Sequence, residues 1–232
     1  MKVIRVARLD YTFDPAALQA EVAALPDRWN PHFQKLHYEG RWTVLPLRSL
    51  EGNLDEKLPF ALGGVPAHYA PTPLLALCPA IGRFLNSLAC PVLSARLLKL
   101  QAGSVIKPHR DIELAFENGE ARLHVPIFTN PDVEFVIDEQ RVVMEPGTCW
   151  YINANLPHHV TNRGTTDRIH LVVDCQVDDW LRAQFDRAEI FYSVIRRDPR
   201  ELRAMIERLR VMNLPASPEL IAQLEAELAE PE

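Results

Sequence analysis

Two short motifs, far apart in the chain, carry side chains that can bind a metal ion. His109 and Asp111 are separated by one residue and follow a β-rich run and a turn. In a strand, positions i and i+2 share a face, so the imidazole and the carboxylate would converge as neighbouring ligands. The pair His158 and His159 offers a third ligand. Two histidines and one carboxylate leave coordination positions open, which is the arrangement of non-haem Fe(II) oxygenases.

An arginine near these motifs is suited to bind an acidic co-substrate. Arg168 opens the strand-like run RIHLVVD. A guanidinium can hold a carboxylate through two parallel charge-assisted hydrogen bonds, so Arg168 is a natural anchor for the far end of an oxo-acid. A histidine and an aspartate separated by one residue occur by chance in many proteins. The metal-site prediction therefore depends on the second histidine motif and the arginine together.

Short strands must position these residues. Between residues 95 and 176, β-rich runs with a period of two alternate with turns containing Gly, Pro and Asn. The predicted strands span residues 95–101, 121–129, 133–137, 141–144, 148–153 and 168–176. Strands of this length and spacing predict a mainly β fold, either a sandwich or a barrel.

Helical patterns flank the β-rich region. A strand over residues 2–8 precedes a helix that Asp14 and Pro15 begin, and a second helical stretch from Thr72 must be broken at Pro79. Residues 51–72 are rich in Gly and Pro without a period, which is typical of a lid or the rim of a site.

A helix beginning at Ser217 and Pro218 carries an aliphatic stripe near the end of the chain. We predict a mainly β domain with an N-terminal strand and helices over residues 1–186, and a helical C-terminal appendage over residues 187–232. The stripe is either a packing face or a homodimer contact.

The composition and charge of the chain argue against several classes of protein. The 25 Lys and Arg against 31 Asp and Glu give a net charge of −6, which argues against a nucleic-acid partner. The longest apolar stretch, residues 73–81, is too short to span a membrane, and the N-terminal residues lack the pattern of a secretory signal. The four scattered cysteines indicate free thiols. We therefore expect a cytoplasmic protein without a membrane partner.

Four motifs in this order resemble a known family. They are HRD at 109–111, RLHV at 122–125, NANLPH at 153–158 and RIHLVVD at 168–174. Together they resemble the aspartyl/asparaginyl β-hydroxylase family of oxygenases, and within it the bacterial L-proline cis-4-hydroxylases. The resemblance covers roughly residues 38–176. It implies a double-stranded β-helix of the jelly-roll or cupin-like type, bound Fe(II), 2-oxoglutarate and O2 as co-substrates, and ascorbate as reductant.

The resemblance also implies a role for each matching residue. His109, Asp111 and His158 would bind the iron, and Arg168 would bind the distal carboxylate of 2-oxoglutarate. In the family the distal histidine lies ten residues before that arginine, which selects His158 over His159.

Co-substrate contacts beyond Arg168 follow from the same resemblance. Arg122 and His124 share one strand face and match a family pair that faces the co-substrate. A family serine that helps to hold the carboxylate falls at Leu98 in this chain. Three residues are candidates to replace that serine: Arg96, Lys99 and His170.

The remaining histidines and tryptophans have mostly structural interpretations. Trp42 and Trp150 are expected in the core, and His170 is either a core or a site residue. No metal-binding spacing joins three other histidines, which we interpret as surface or lid residues: His32, His37 and His68.

Asp111 decides the expected substrate class. Vertebrate-type members of the family lack this carboxylate, so its presence favours a small amino-acid-like substrate, which Arg96 or the segment 51–72 would contact. Hydroxylation of an Asp, Asn or other residue in a protein or peptide is an alternative. A cupin-like barrel that binds a metal or ligand without turnover is another, and a zinc hydrolase fits less well because no dedicated general base is near.

Overall fold

A computed structural model describes residues 2–55, 68–112, 114–195, 199–212 and 214–229. The strands are β1 (Lys2–Thr12), β2 (Asn30–Pro31), β3 (Tyr38–Glu39), β4 (Trp42–Leu50), β5 (Tyr69–Pro71), β6 (Val92–Leu100), β7 (Val105–His109), β8 (Glu120–Phe128), β9 (Val133–Ile137), β10 (Gln140–Val142), β11 (Thr148–Ile152), β12 (His158–Asn162), β13 (Arg168–Gln176) and β14 (Glu189–Val194). The helices are α1 (Pro15–Ala23), α2 (Pro79–Ser87), α3 (Asp179–Phe185), α4 (Pro199–Met212) and α5 (Ser217–Ala229), and short 3-10 turns span Lys35–His37, Pro73–Leu77 and Phe116–Asn118.

The chain divides into two compact units, residues 4–193 and residues 1–3 with 194–232. Within the first unit the strands form two sheets. The larger has the order β14-β1-β11-β8-β13-β6-β4-β2, with β5 paired to β4, and the smaller has the order β10-β9-β12-β7-β3. This arrangement confirms the predicted mainly β fold of the double-stranded β-helix type with flanking helices. None of the helices in the described part of the chain is long and apolar enough to span a membrane.

Side chains of the central strands β6, β8 and β13 alternate between two faces of the larger sheet. Leu97 and Leu171 belong to one buried apolar cluster with residues of α1 and α2. The opposite face of the same strands carries Arg96, Arg122 and Asp174, and the antiparallel register places Asp174 directly across from Arg122. The period of two therefore separates an apolar face under the helices from a polar face toward the smaller sheet.

Most predicted elements are present with shifted ends. The runs 133–137 and 168–176 coincide with β9 and β13, and the helical stretch after Thr72 is interrupted at Cys78, where the 3-10 turn ends before α2 begins at Pro79. The predicted strand runs left out β7, β12 and β14, and no helix was predicted at α3, whereas α4 lies within the predicted helical appendage. The predicted lid lies partly outside the described residues, which omit 56–67. All four cysteines are free and buried.

The C-terminal unit contains a pair of packed helices. Leu202 and Ile206 of α4 form a small buried cluster with Leu224 of α5. The predicted helix from Ser217 is confirmed as α5, whereas residues 189–194, predicted as part of a helical appendage, are the strand β14. The domain boundary at residue 186 and a homodimer contact stay predictions.

Gly40, at the turn that precedes β4, provides a test of the fold. Its φ is +79°, and a Cβ there would lie 2.4 Å from the Ser104 hydroxyl oxygen, which accepts a hydrogen bond from the Arg41 amide at 2.8 Å. Gly40→Ala should lower the free energy of unfolding in urea by about 1–3 kcal/mol, because it adds backbone strain and a steric clash.

Gly82 in α2 supplies the matched control, because a Cβ there would meet nothing within 4 Å. Gly82→Ala should raise stability by about 0.5–1 kcal/mol through the higher helix propensity of alanine. Equal stability of Gly40→Ala and the wild type would contradict this account of the turn.

Candidate active site

His109, Asp111 and His158 meet at one place in the first unit. Each offers one ligand atom, and these atoms all lie within 4.8 Å of one another. His109 ends β7 and His158 begins β12, and the two residues are direct cross-strand partners with ring centroids 4.2 Å apart. Asp111 lies beyond the end of β7, so the expected placement of both residues in one strand is wrong. A hydrogen bond from the Asp111 amide to the Ala154 carbonyl, 2.8 Å long, holds it beside the histidines instead.

Both histidines present the same ring nitrogen to the centre of the group. Nδ1 of His109 lies 2.8 Å from the Lys107 carbonyl oxygen, and Nδ1 of His158 lies 3.0 Å from that of Leu156. A carbonyl only accepts, so each Nδ1 carries the hydrogen and each Nε2 is left free to bind a metal. Burial lowers the pKa of His109, and burial with the neighbouring His109 lowers the pKa of His158 to about 4. Both rings are therefore neutral at pH 7.

His159 is separate from this group. It is half-buried and points to the other face of β12, across from Val136 of β9. The structure thus brings His158, and not His159, to His109 and Asp111.

Arg122 connects the Asp111 carboxylate to a second buried carboxylate. Its Nη1 donates to Oδ2 of Asp111, while its Nε and Nη2 donate to the two oxygens of Asp174 at 2.7 and 3.1 Å. Arg96 donates to the same Asp174 at 2.9 Å. Oδ1 of Asp111 faces His109, 4.0 Å from Nε2. Every guanidinium nitrogen of Arg122 thus already donates to a carboxylate of the protein itself.

Charge in this network fixes the ionisation of both aspartates. Burial by itself raises the pKa of Asp111, but the positive charge of Arg122 outweighs it and lowers that pKa below its usual value. Burial likewise opposes ionisation of Asp174, yet Arg122 and then Arg96 hold its pKa well below its usual range. Both carboxylates are therefore ionised, and Asp111 is ready to bind a cation.

Arg168 is a buried cation without a carboxylate partner among the residues that the structure describes. Only 2% of its surface is exposed. Its Nη2 donates to Nδ1 of His170 at 2.9 Å, its Nε has no partner within the described ranges, and its guanidinium carbon lies 5.9 Å from the centroid of the Phe135 ring. Burial lowers its pKa to about 9. Because an unpaired buried charge is costly, this guanidinium is suited to bind an anionic ligand.

Two further histidines lie beside Arg168. Nδ1 of His124 is 3.4 Å from Nδ1 of His170, and Nε2 of His124 is buried without a partner in the described part of the chain. Burial and then the charge of Arg168 keep the pKa of both well below the usual histidine value. The Phe135 ring lies 5.9 Å from the His124 ring and stacks on that of His158 at 6.4 Å. His124 and Arg168 thus neighbour the candidate metal ligands.

A cavity of about 520 Å³ opens next to Asp111. Its wall includes Arg96, Trp42 and His32, so the interpretation of His32 as a surface or lid residue is wrong. His32 is only 7% exposed. The same interpretation also fails for the half-buried His37, whose ring centroid is 5.2 Å from that of His109.

The structure also shows the surroundings of His68, Lys99 and Trp150. His68 is exposed and lies 3.2 Å from a carboxylate oxygen of Glu51, as a surface or lid residue would. Lys99 lies on the outer face of β6 with its ammonium 4.1 Å from the centroid of a Trp29 ring, so it cannot replace the family serine at Leu98. Trp150 is buried, and its indole N–H donates to the Thr148 hydroxyl at 2.9 Å.

Asp174 is a residue of the site that sequence reasoning missed. It closes the motif RIHLVVD, six residues after Arg168 and four after His170. An even spacing in a strand places all three side chains on one face. The sequence pattern therefore already indicated that Asp174 shares the face of Arg168 and His170. Nothing in the sequence indicated that two arginines from other strands would share this carboxylate.

Comparison with known proteins agrees with this geometry. Residues 14–177 match the family model "Aspartyl/Asparaginyl beta-hydroxylase". An L-proline cis-4-hydroxylase of Rhizobium meliloti (strain 1021) is 27% identical over 140 residues, which cover 58% of this chain and 48% of the relative. An L-proline cis-3-hydroxylase of a Streptomyces species is 29% identical over 160 residues, covering 66% and 51%.

The chain therefore spans about half the length of the curated relatives that it matches. Among solved structures, a 2OG-Fe(II) oxygenase family oxidoreductase from Burkholderia pseudomallei aligns with a TM-score of 0.46 and 15% identity, over 69% of this chain and 77% of the other. With most of its length matched by the family model, this chain belongs to the aspartyl/asparaginyl β-hydroxylase family.

Proposed function

We propose that this protein is an Fe(II)- and 2-oxoglutarate-dependent dioxygenase that hydroxylates an unactivated C–H bond of a small amino-acid-like substrate. One observation carries the proposal. A buried arginine without a carboxylate partner in the described chain, Arg168, lies 5.9 Å from the Phe135 ring, which stacks on the His158 ring of the His/Asp/His group. The imidazoles of that group are neutral and their Nε2 atoms are free. A metal site with open positions beside an anion-binding arginine is what an oxo-acid-dependent oxygenase requires.

The donor set fits Fe(II). His109 and His158 would bind it through Nε2, and Asp111 through Oδ1, while Arg122 holds the other oxygen of Asp111. When bound, Fe(II) supplies the redox chemistry by which O2, 2-oxoglutarate and the substrate give succinate, carbon dioxide and the hydroxylated substrate. The protein contributes the fixed ligands, the binding of the co-substrate and the orientation of the substrate.

The two arginines have different roles in this proposal. Arg168 binds the distal carboxylate of 2-oxoglutarate, with His124 beside it as a further polar contact. Arg122, first predicted to bind the co-substrate, instead positions Asp111, because each of its nitrogens already donates to Asp111 or Asp174.

The cavity beside Asp111 supports a small substrate. It offers an aromatic wall at Trp42 and a cation at Arg96. The two curated relatives are named as hydroxylases of L-proline. A zwitterion of this kind needs a cation for its carboxylate, and Arg96 supplies one.

We predict that Asp111→Ala and His158→Ala each weaken Co(II) binding more than about 100-fold and abolish Fe(II)-dependent formation of succinate. Loss of a ligand should exceed the 10- to 100-fold effect typical of residues that only orient ligands. Calorimetric titration with Co(II) measures the affinity. His159→Ala is the matched control and should bind Co(II) like the wild type, so a larger loss there than in His158→Ala would refute the ligand assignment.

Arg168→Lys should raise the KM for 2-oxoglutarate about 10- to 100-fold, because lysine keeps the charge but loses the two-pronged hydrogen bonding. The assay is succinate formation with Fe(II) and ascorbate. Arg163→Lys, at an exposed surface pair with Glu134, is the control and should leave KM unchanged. An unchanged KM in Arg168→Lys would contradict the proposed co-substrate site.

The substrate class is tested by incubating the enzyme with Fe(II), 2-oxoglutarate and each of the twenty amino acids. Mass spectrometry should detect the gain of one oxygen atom in at least one of them. A gain of oxygen only in a peptide would replace the small substrate with a protein residue. Absence of succinate under every condition would favour a barrel that binds without turnover.

A further inference from the structure

His32 occupies a fixed position in the wall of the cavity beside Asp111. Its backbone N–H donates to the Trp42 carbonyl at 2.9 Å, and its ring stacks on the Trp42 ring at 3.5 Å with 13° between the planes. The Phe33 ring lies 4.7 Å away on a plane tilted by 30°. These aromatic neighbours fix the plane of the imidazole, so its edge is the part that can bind a ligand.

The edge of His32 carries a hydrogen-bond donor. The Gln34 amide donates to Nδ1 at 3.4 Å, so the hydrogen of the neutral ring lies on Nε2. Burial, followed by the charges of Arg96 and Arg122, lowers the pKa of His32 to about 3, so the ring is neutral at pH 7. Within the described ranges no residue accepts a hydrogen bond from this Nε2.

Arg96 lines the same cavity, and its guanidinium has N–H groups that can donate to a ligand. Its Nη1 donates to Asp174 and to the Ser94 hydroxyl, whereas Nε and Nη2 have no partner among the residues that the structure describes. The cavity therefore presents one charged donor and one neutral donor. Arg96 can therefore donate to a ligand carboxylate through Nε and Nη2 while it keeps its hydrogen bond to Asp174.

We infer that His32 and Arg96 form the subsite for the carboxylate of the substrate. Arg96 supplies the charge, and Nε2 of His32 supplies a neutral hydrogen bond that selects a carboxylate oxygen over an amide nitrogen. The inference rests on the proposed function, because that proposal places an amino-acid-like substrate in this cavity.

The test is calorimetric binding of the twenty amino acids to protein loaded with Co(II) and 2-oxoglutarate, followed by the amide of the amino acid that binds best. His32→Phe keeps an aromatic ring against Trp42 but removes the donor. It should weaken binding of the acid about 10- to 100-fold and change binding of the amide much less. His32→Gln, which restores an N–H of similar reach, should recover part of the affinity for the acid.

The controls separate this subsite from the rest of the site. His68→Phe, at an exposed histidine, should bind every ligand like the wild type, and all variants should keep the wild-type affinity for Co(II) and 2-oxoglutarate. If His32→Phe leaves the preference for acid over amide unchanged, the inference is overturned while the proposed function stands. If wild-type protein binds Co(II) and 2-oxoglutarate but no amino acid, the proposed substrate class fails and the subsite fails with it.

Discussion

The buried ion network of Asp111, Arg122, Asp174 and Arg96 is the constraint on which the site depends. Arg122 and Asp174 lie on neighbouring strands β8 and β13, and Arg96 lies on β6 on the other side of β13. Arg96 and Asp174 are buried, and Arg122 and Asp111 are partly buried. The four charges are tolerated only as a set, because the loss of one member leaves an uncompensated charge in a poorly solvated interior. The network therefore ties the loop that carries Asp111 to the centre of the larger sheet.

The contrast between Arg122 and Arg168 explains how one sheet face serves two purposes. Arg168 is buried and Arg122 is mostly buried, yet Arg122 is surrounded by carboxylates and its pKa is raised, whereas Arg168 faces His170 and its pKa is lowered. Burial alone acts in the same direction on both, so the nearby carboxylates make the difference. An arginine that is fully paired holds structure in place. One that is left unpaired is available to a ligand.

Much of the site could be predicted from local patterns. The period of two in RIHLVVD placed Arg168 and His170 on one face, and it would also have placed Asp174 there. The same rule would also have excluded Lys99, because an odd spacing from Arg96 in one strand means opposite faces. The turn after His109 could not be predicted this way, since Asp111 is held by a hydrogen bond to Ala154, far along the chain. His32 was missed for a similar reason, because its position depends on a hydrogen bond and ring stacking with Trp42, the first residue of β4.

The central claim is that three ligands and one arginine hold a metal and 2-oxoglutarate together. Crystals grown without oxygen in Mn(II) and 2-oxoglutarate, measured for anomalous scattering, test it most directly. The account predicts one strong peak within bonding distance of Nε2 of His109, Nε2 of His158 and an oxygen of Asp111, with the distal carboxylate of the oxo-acid on Arg168. A peak bound by other residues, or an oxo-acid away from Arg168, would contradict it.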